Sequence, residues 1–224
     1  MFRVAVLCSG NGSNLQALLE RIASGHVHAA VTLVASDKPD AQALARARKA
    51  RVPAVVALPK LDGETRSDHD ARLLEILRAE RPDIVVLAGY MRIIGPTIVA
   101  AFPDRIVNIH PSLLPAFQGL HAVRQAIAAG VDRAGCSTHI VTDDLDAGPV
   151  ILQASVRVHA REAEADLQRR ILHLEHLLLP RTVELFAQHR ITVRAGKAQV
   201  AAGDSWLARQ DLPLVSGAWY SDGF

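Results

Sequence analysis

The chain has 224 residues, half of them apolar and 21% charged, with a formal net charge of +2. That length supports one large domain or two small ones. The near-neutral balance, with Lys and Arg scattered through stretches such as 46–51 and 168–170, forms no basic arm and demands no nucleic-acid partner. Two cysteines, Cys8 and Cys136, do not make a disulfide framework and suit a reducing, cytoplasmic setting. No apolar run is long enough to cross a bilayer, and the first residues read as a strand, not a secretion signal.

Valine- and isoleucine-rich runs at 3–8, 31–36, 54–58, 84–88, 105–109, 136–141 and 150–158 are the predicted strands. The early ones are apolar almost throughout, as strands are when helices cover both faces of a parallel sheet. Helical spacing recurs between them, in Leu15, Leu18, Leu19 and Ile22 and again in Ala71, Leu74 and Leu77. Residues 59–70 are polar and turn-rich and are predicted to loop into the third helix. Residues 111–120, with two prolines and a glycine, form a second irregular stretch. Leu167, Ile171, Leu174 and Leu178 mark a long helix, which Pro180 is expected to kink or end. Residues 191–196 and 197–201 read as a hairpin around Gly196, followed by a polar tail. The pattern predicts an α/β fold: an open, mostly parallel twisted sheet of about seven strands, Rossmann-like, with helices on both faces.

Three segments carry chemistry. Strand one runs directly into Ser9-Gly10-Asn11-Gly12-Ser13-Asn14 and a helix. The glycines allow close approach to the backbone, Ser13 and Asn14 are natural helix caps, and free first-turn amides make an anion site. A tight turn that merely caps a helix has the same composition. The second segment is Asn108-Ile109-His110-Pro111, where residues two apart on a strand present an amide and an imidazole on one side. A histidine satisfied by a backbone carbonyl is the plain alternative. The third is Thr142-Asp143-Asp144-Leu145-Asp146-Ala147-Gly148-Pro149, a solvated turn or weak cation loop by default. A carboxylate from it beside His110 would favour the imidazolium. His26, His28, His69, His159 and His189 read as surface or loop residues, and His121 and His139 fit near the same sheet edge but receive no role. His173 and His176 flank Glu175 without the i, i+4 pairing of a zinc helix, so no metal site is expected.

Taken together, the blocks at 10–14, 88–94, 108–115, 118–122 and 135–151 resemble the folate-dependent phosphoribosylglycinamide formyltransferases, in order and over about residues 3–188. The blocks at 108–115 and 142–150 are shared by formyltetrahydrofolate-using enzymes generally. Gly10–Asn14 points to the phosphate of a ribonucleotide. The resemblance implies formyl transfer from 10-formyltetrahydrofolate, a co-substrate, to the amine of glycinamide ribonucleotide, without metal or nucleic acid, by a monomer or homodimer. It implies Asn108, His110 and Asp146 as catalytic residues. Gly12, Ser13 and Asn14, with Leu172, His173, Leu174 and Glu175, would take phosphate and ribose. Arg66, Met91, Arg92, Ile93, Ile94, Asn108, Thr142, Asp143, Asp144, Leu145 and Asp146 would contact the folate. It further implies a catalytic unit over 1–188, its first half holding the ribonucleotide and its second half the folate, with 189–224 as hairpin and tail. A cis peptide at Leu114–Pro115 is also implied. Ala116 and Gln118 depart from the family, which often carries a basic residue and a proline there.

Overall fold

The computed structural model describes residues 1–201, so the predicted polar tail lies outside the described residues. A seven-stranded sheet has the order β3-β2-β1-β4-β5-β6-β7. The strands are β1 (Phe2–Leu7), β2 (Ala29–Ser36), β3 (Ala54–Ala57), β4 (Ile84–Leu87), β5 (Ile106–His110), β6 (Arg133–Ile140) and β7 (Val150–Arg157). β1 to β5 are parallel, and β6 and β7 continue the sheet antiparallel. The predicted strands are therefore all present, their ends displaced by up to three residues. The order reverses between β1 and β4, which opens a crevice where their carboxyl ends diverge.

The helices are α1 (Ser13–Ala23), α2 (Gln42–Lys49), α3 (Arg66–Glu80), α4 (Pro96–Ala101), α5 (Ala122–Ala128) and α6 (Glu164–Ala187). Alternation along β1 shows why both faces are covered. Val4, Val6 and Cys8 join the core beneath α1, α2, α5 and α6. Ala5 and Leu7 join the core beneath α3 and α4. β8 (Ile191–Arg194) and β9 (Lys197–Val200) form the predicted hairpin. Its Ala198 packs with Val107, Ile140 and Ile151 of the sheet.

Three expectations need correction. α6 runs through Pro180 without ending there. A proline inside a helix costs one hydrogen bond and crowds the preceding turn, about 3 kcal/mol. The buried Leu178, Leu179 and Val183 around it offset that cost by holding both halves against the sheet. α3 begins at Arg66, inside the predicted loop, because Thr65 and Asp68 form a reciprocal capping box. His69, expected at the surface, is fully buried, with its Nε2 3.1 Å from the Leu58 carbonyl.

Candidate active site

The glycine loop lies at the β1–β4 crevice and is tied to both of its walls. Ser9 N–H donates to Gly89 O (3.0 Å), and Ser9 Oγ accepts from Met91 N–H (2.8 Å). Gly12, and not Ser13 or Asn14, is the N-cap of α1. It sits in the left-handed region at φ 74°, and no side chain caps the terminus. A side chain there would overlap Ala43 of α2, so the loop and α2 touch backbone to backbone. The first-turn amides of α1 therefore face outward with the positive end of the helix dipole. Arg46, one of the scattered basic residues of 46–51, braces this loop. Its guanidinium donates to Asn11 O (2.8 Å) and Asn11 Oδ1 (3.0 Å), adding a cation beside the loop that leads into α1.

Asn14 crosses to the long helix, donating through Nδ2 to Glu175 Oε2 at 2.7 Å. Within the predicted turn 172–175, Glu175 is thus the residue that meets the loop. The Leu174 side chain belongs to the apolar core, His173 is exposed and Leu172 is half-buried. Burial pushes the Glu175 carboxyl up to about 7, against the pull of the Asn14 hydrogen bond. A folded chain that holds this proton to about pH 7, where an unfolded one releases it near 4.5, loses stability as pH rises between the two. Glu175→Gln keeps an oxygen for Asn14 and removes the titration. Its Tm should match the parent's near pH 5 and exceed it by several degrees above about pH 8, a gain on the order of 3 kcal/mol at most. The same Tm difference at both pH values would contradict this.

The three predicted catalytic residues converge. Asn108 and His110 share one side of β5, opposite His139 and Ser137 of β6. β6 runs antiparallel and leaves the sheet beside Val107 and Ile106, so the loop after it must fold back to reach His110. Two features permit that. Asp146 adopts left-handed backbone at φ 50°, which a short polar side chain tolerates. A side chain at Gly148 would overlap the Ile140 carbonyl. Asp146 Oδ2 then lies 3.4 Å from His110 Nδ1 and accepts the Gly119 amide at 2.9 Å. His110 Nε2 lies 2.9 Å from Phe117 O. Both ring nitrogens of His110 thus face acceptors, an arrangement that uses two N–H donors.

His139, given no role by sequence reasoning, completes the cluster. Its Nε2 is 3.5 Å from Asp146 Oδ1 and 3.1 Å from Asn108 Nδ2, and its Nδ1 is 3.0 Å from Ile140 O. Asn108 Nδ2 is itself 3.4 Å from Asp146 Oδ1. Burial works to raise the Asp146 carboxyl, but hydrogen bonds from His139 and the Gly119 amide and the charge of both imidazoles outweigh it, holding it below its ordinary range. Gln118, at the position that departs from the family, donates to Asp146 O at 3.0 Å and so steadies the same loop. Leu114–Pro115 is cis, as expected. Among the described residues, no group of three or more His, Cys, Asp or Glu is placed to hold a metal ion.

The segments assigned to folate flank this cluster. Met91 and Ile93 are exposed apolar side chains in the loop after β4, and Leu145 is a third in the loop beside Asp146. Thr142 and Arg92 are half-buried, and Asp143 and Asp144 are exposed. Ile94 turns its side chain into the core, leaving its carbonyl to Arg66 at 3.0 Å.

Residues 2–183 match the formyl transferase family model. The chain is 42% identical to phosphoribosylglycinamide formyltransferase of Escherichia coli K12 over 210 residues, covering 94% of this chain and 95% of that one. It is 38% identical to the Bacillus subtilis protein of the same name, over 82% and 94% of the two chains. Its structure is similar to that of glycinamide ribonucleotide transformylase 1 from Symbiobacterium toebii, with a TM-score of 0.87, 46% identity and coverage of 90% and 95%. These matches establish that the chain belongs to the formyl transferase family.

Proposed function

We propose that this chain is a phosphoribosylglycinamide formyltransferase. It transfers the formyl group of 10-formyltetrahydrofolate to the amine of N1-(5-phospho-D-ribosyl)glycinamide, releasing tetrahydrofolate and the N2-formyl product in de novo purine (IMP) synthesis. The observations that carry this reading are a helix terminus without a side-chain cap after the glycine loop and the Asn108–His110–Asp146 cluster at the carboxyl end of β5, the strand paired with β4.

The amides of Gly12, Ser13 and Asn14 hold the phosphate, with Arg46 adding positive charge and Glu175 taking the ribose hydroxyls. The folate heterocycle lies against Met91, Arg92, Ile93 and Ile94 and the loop 142–146, with Arg66 toward its outer end. An apolar slot edged by backbone groups suits a flat ring that both stacks and hydrogen-bonds. Holding both substrates end to end supplies proximity, a term that can reach about 7–11 kcal/mol.

The amine attacks the formyl carbon, and negative charge develops on the formyl oxygen. Asn108 and His110 are the donors to that oxygen, which takes the place of the Phe117 carbonyl on His110 Nε2. The Asn108 amide must turn its N–H outward, and His139 Nε2–H is then the donor to Asn108 Oδ1. Asp146 keeps the imidazolium charged and carries the proton from the attacking nitrogen toward the departing folate nitrogen, directly or through water. No covalent enzyme intermediate enters this scheme.

This reading takes the chain as a cytoplasmic monomer or homodimer that acts on small molecules and has no nucleic-acid partner; among the described residues, no helix is long and apolar enough to cross a membrane. The catalytic unit lies within residues 1–188. A purified-protein assay tests the reading: tetrahydrofolate should form from 10-formyltetrahydrofolate when glycinamide ribonucleotide is present. Binding of both without turnover would make the chain a sensor. Deformylation at the same rate without the amine would make it a hydrolase.

A further inference from the structure

Asp70, on the second turn of α3, is a carboxylate that the chemistry above does not use, yet it is only 6% exposed. Its carboxylate lies against Gly95, whose backbone amide favours the charged form, and its Oδ2 lies 3.8 Å from Arg66 Nε, one helical turn earlier. Arg66 donates to Ile94 O at 3.0 Å. The Ile94 carbonyl and the Gly95 N–H belong to one peptide unit, so two side chains at i, i+4 grip both edges of a single peptide plane. Gly95 matches this arrangement, because a methyl group there would overlap the Asp70 carboxylate. Burial alone works against such a carboxylate and raises its proton affinity despite Arg66 and His69 beside it. The apolar residues Leu73, Leu74 and Leu77 already seat α3 on the sheet. The gripped peptide directly follows Met91, Arg92 and Ile93, whose other end is fastened by Met91 N–H to Ser9 Oγ.

We infer that Asp70 is a positioning residue for formylfolate: with Arg66 it clamps the Ile94–Gly95 peptide and so sets the shape of the 91–94 loop against which the heterocycle rests. This rests on the reading of that loop as the folate wall. The ribonucleotide half of the cleft, built from the β1–α1 loop and α6, does not depend on the clamp.

The test compares Asp70→Ala, Asp70→Asn and Ile93→Asp in the full chain, by steady-state kinetics in both substrates and by hydrogen exchange at the Gly95 amide. Asp70→Ala should speed exchange at Gly95 and raise KM for 10-formyltetrahydrofolate about tenfold, with KM for the ribonucleotide within about twofold. Asp70→Asn, which keeps an oxygen for the Gly95 N–H, should return the folate KM to within about threefold of the parent. Should Asp70→Ala fail to fold, Gly95→Ala, which drives the carboxylate from its seat, should give the same split. Faster exchange with an unchanged folate KM, or an equal rise in both KM values, would overturn the positioning role. If Ile93→Asp also leaves the folate KM unchanged, the folate wall itself is misplaced; if it raises that KM while Asp70→Ala does not, only the clamp fails.

Discussion

Asp146→Asn should lower kcat by about a thousandfold or more while leaving KM for the ribonucleotide within about threefold. The substitution preserves shape, and its oxygen can still accept the Gly119 amide now 2.9 Å from Oδ2. What it removes is the negative charge shared by His110 Nδ1 at 3.4 Å and His139 Nε2 at 3.5 Å. A neutral amide does not favour an imidazolium, and turned the other way it presents a donor to a donor. The glycine loop proposed to take the phosphate leads into α1 and packs on α2, so it does not feel the change. The fold should feel it only modestly and in a definite direction. A carboxyl held below its ordinary 3.8 stabilises the folded chain above that value and loses this contribution as pH falls through the lowered one. A kcat loss under threefold, with the variant folded, would contradict the assigned role.

Asn108→Ala should cost about 10²- to 10³-fold, the usual loss for one donor to a developing oxyanion. The interaction strengthens only as charge gathers on the formyl oxygen, so kcat and kcat/KM should fall together while both KM values hold. A raised folate KM at unchanged kcat would instead make Asn108 a ground-state contact. Asn108 is half-buried on β5 between His139 and Asp146, and alanine leaves the backbone pairing with β6 intact.

The architecture was legible because burial on both sides of a parallel sheet writes itself as unbroken apolar runs. Val4 to Leu7 and Ile84 to Leu87 are fully or almost fully buried, and both strands were read from composition alone. The short helices α4 and α5 were not, because six or seven residues span too few turns for a period to emerge. Asn108 and His110 were legible from strand alternation. The choice of Asp146 over Asp143 and Asp144 came from family resemblance, since only the folded-back loop and the left-handed backbone distinguish it.

What the sequence hid depends on tertiary approach. His139 sits in an apolar strand without local sign of purpose, and its partners lie 31 and 7 residues away in the chain. Arg46 lies among four basic residues on and just after a short helix, and only its reach to Asn11 sets it apart from its neighbours. The Thr65–Asp68 capping box was present in the letters and would have moved the start of α3 to Arg66. Through-helix Pro180 could not be read locally, because the packing that tolerates it comes from the sheet.

The central claim is that His110 and Asp146 act as one unit on the formyl carbon. A double-mutant cycle in kcat, comparing His110→Ala, Asp146→Asn and the double variant with the parent, tests it most directly. The account predicts that the double variant loses about as much as the worse single, since removing either partner already disables the pair. Losses that multiply, each residue contributing the same factor whether or not the other is present, would contradict it.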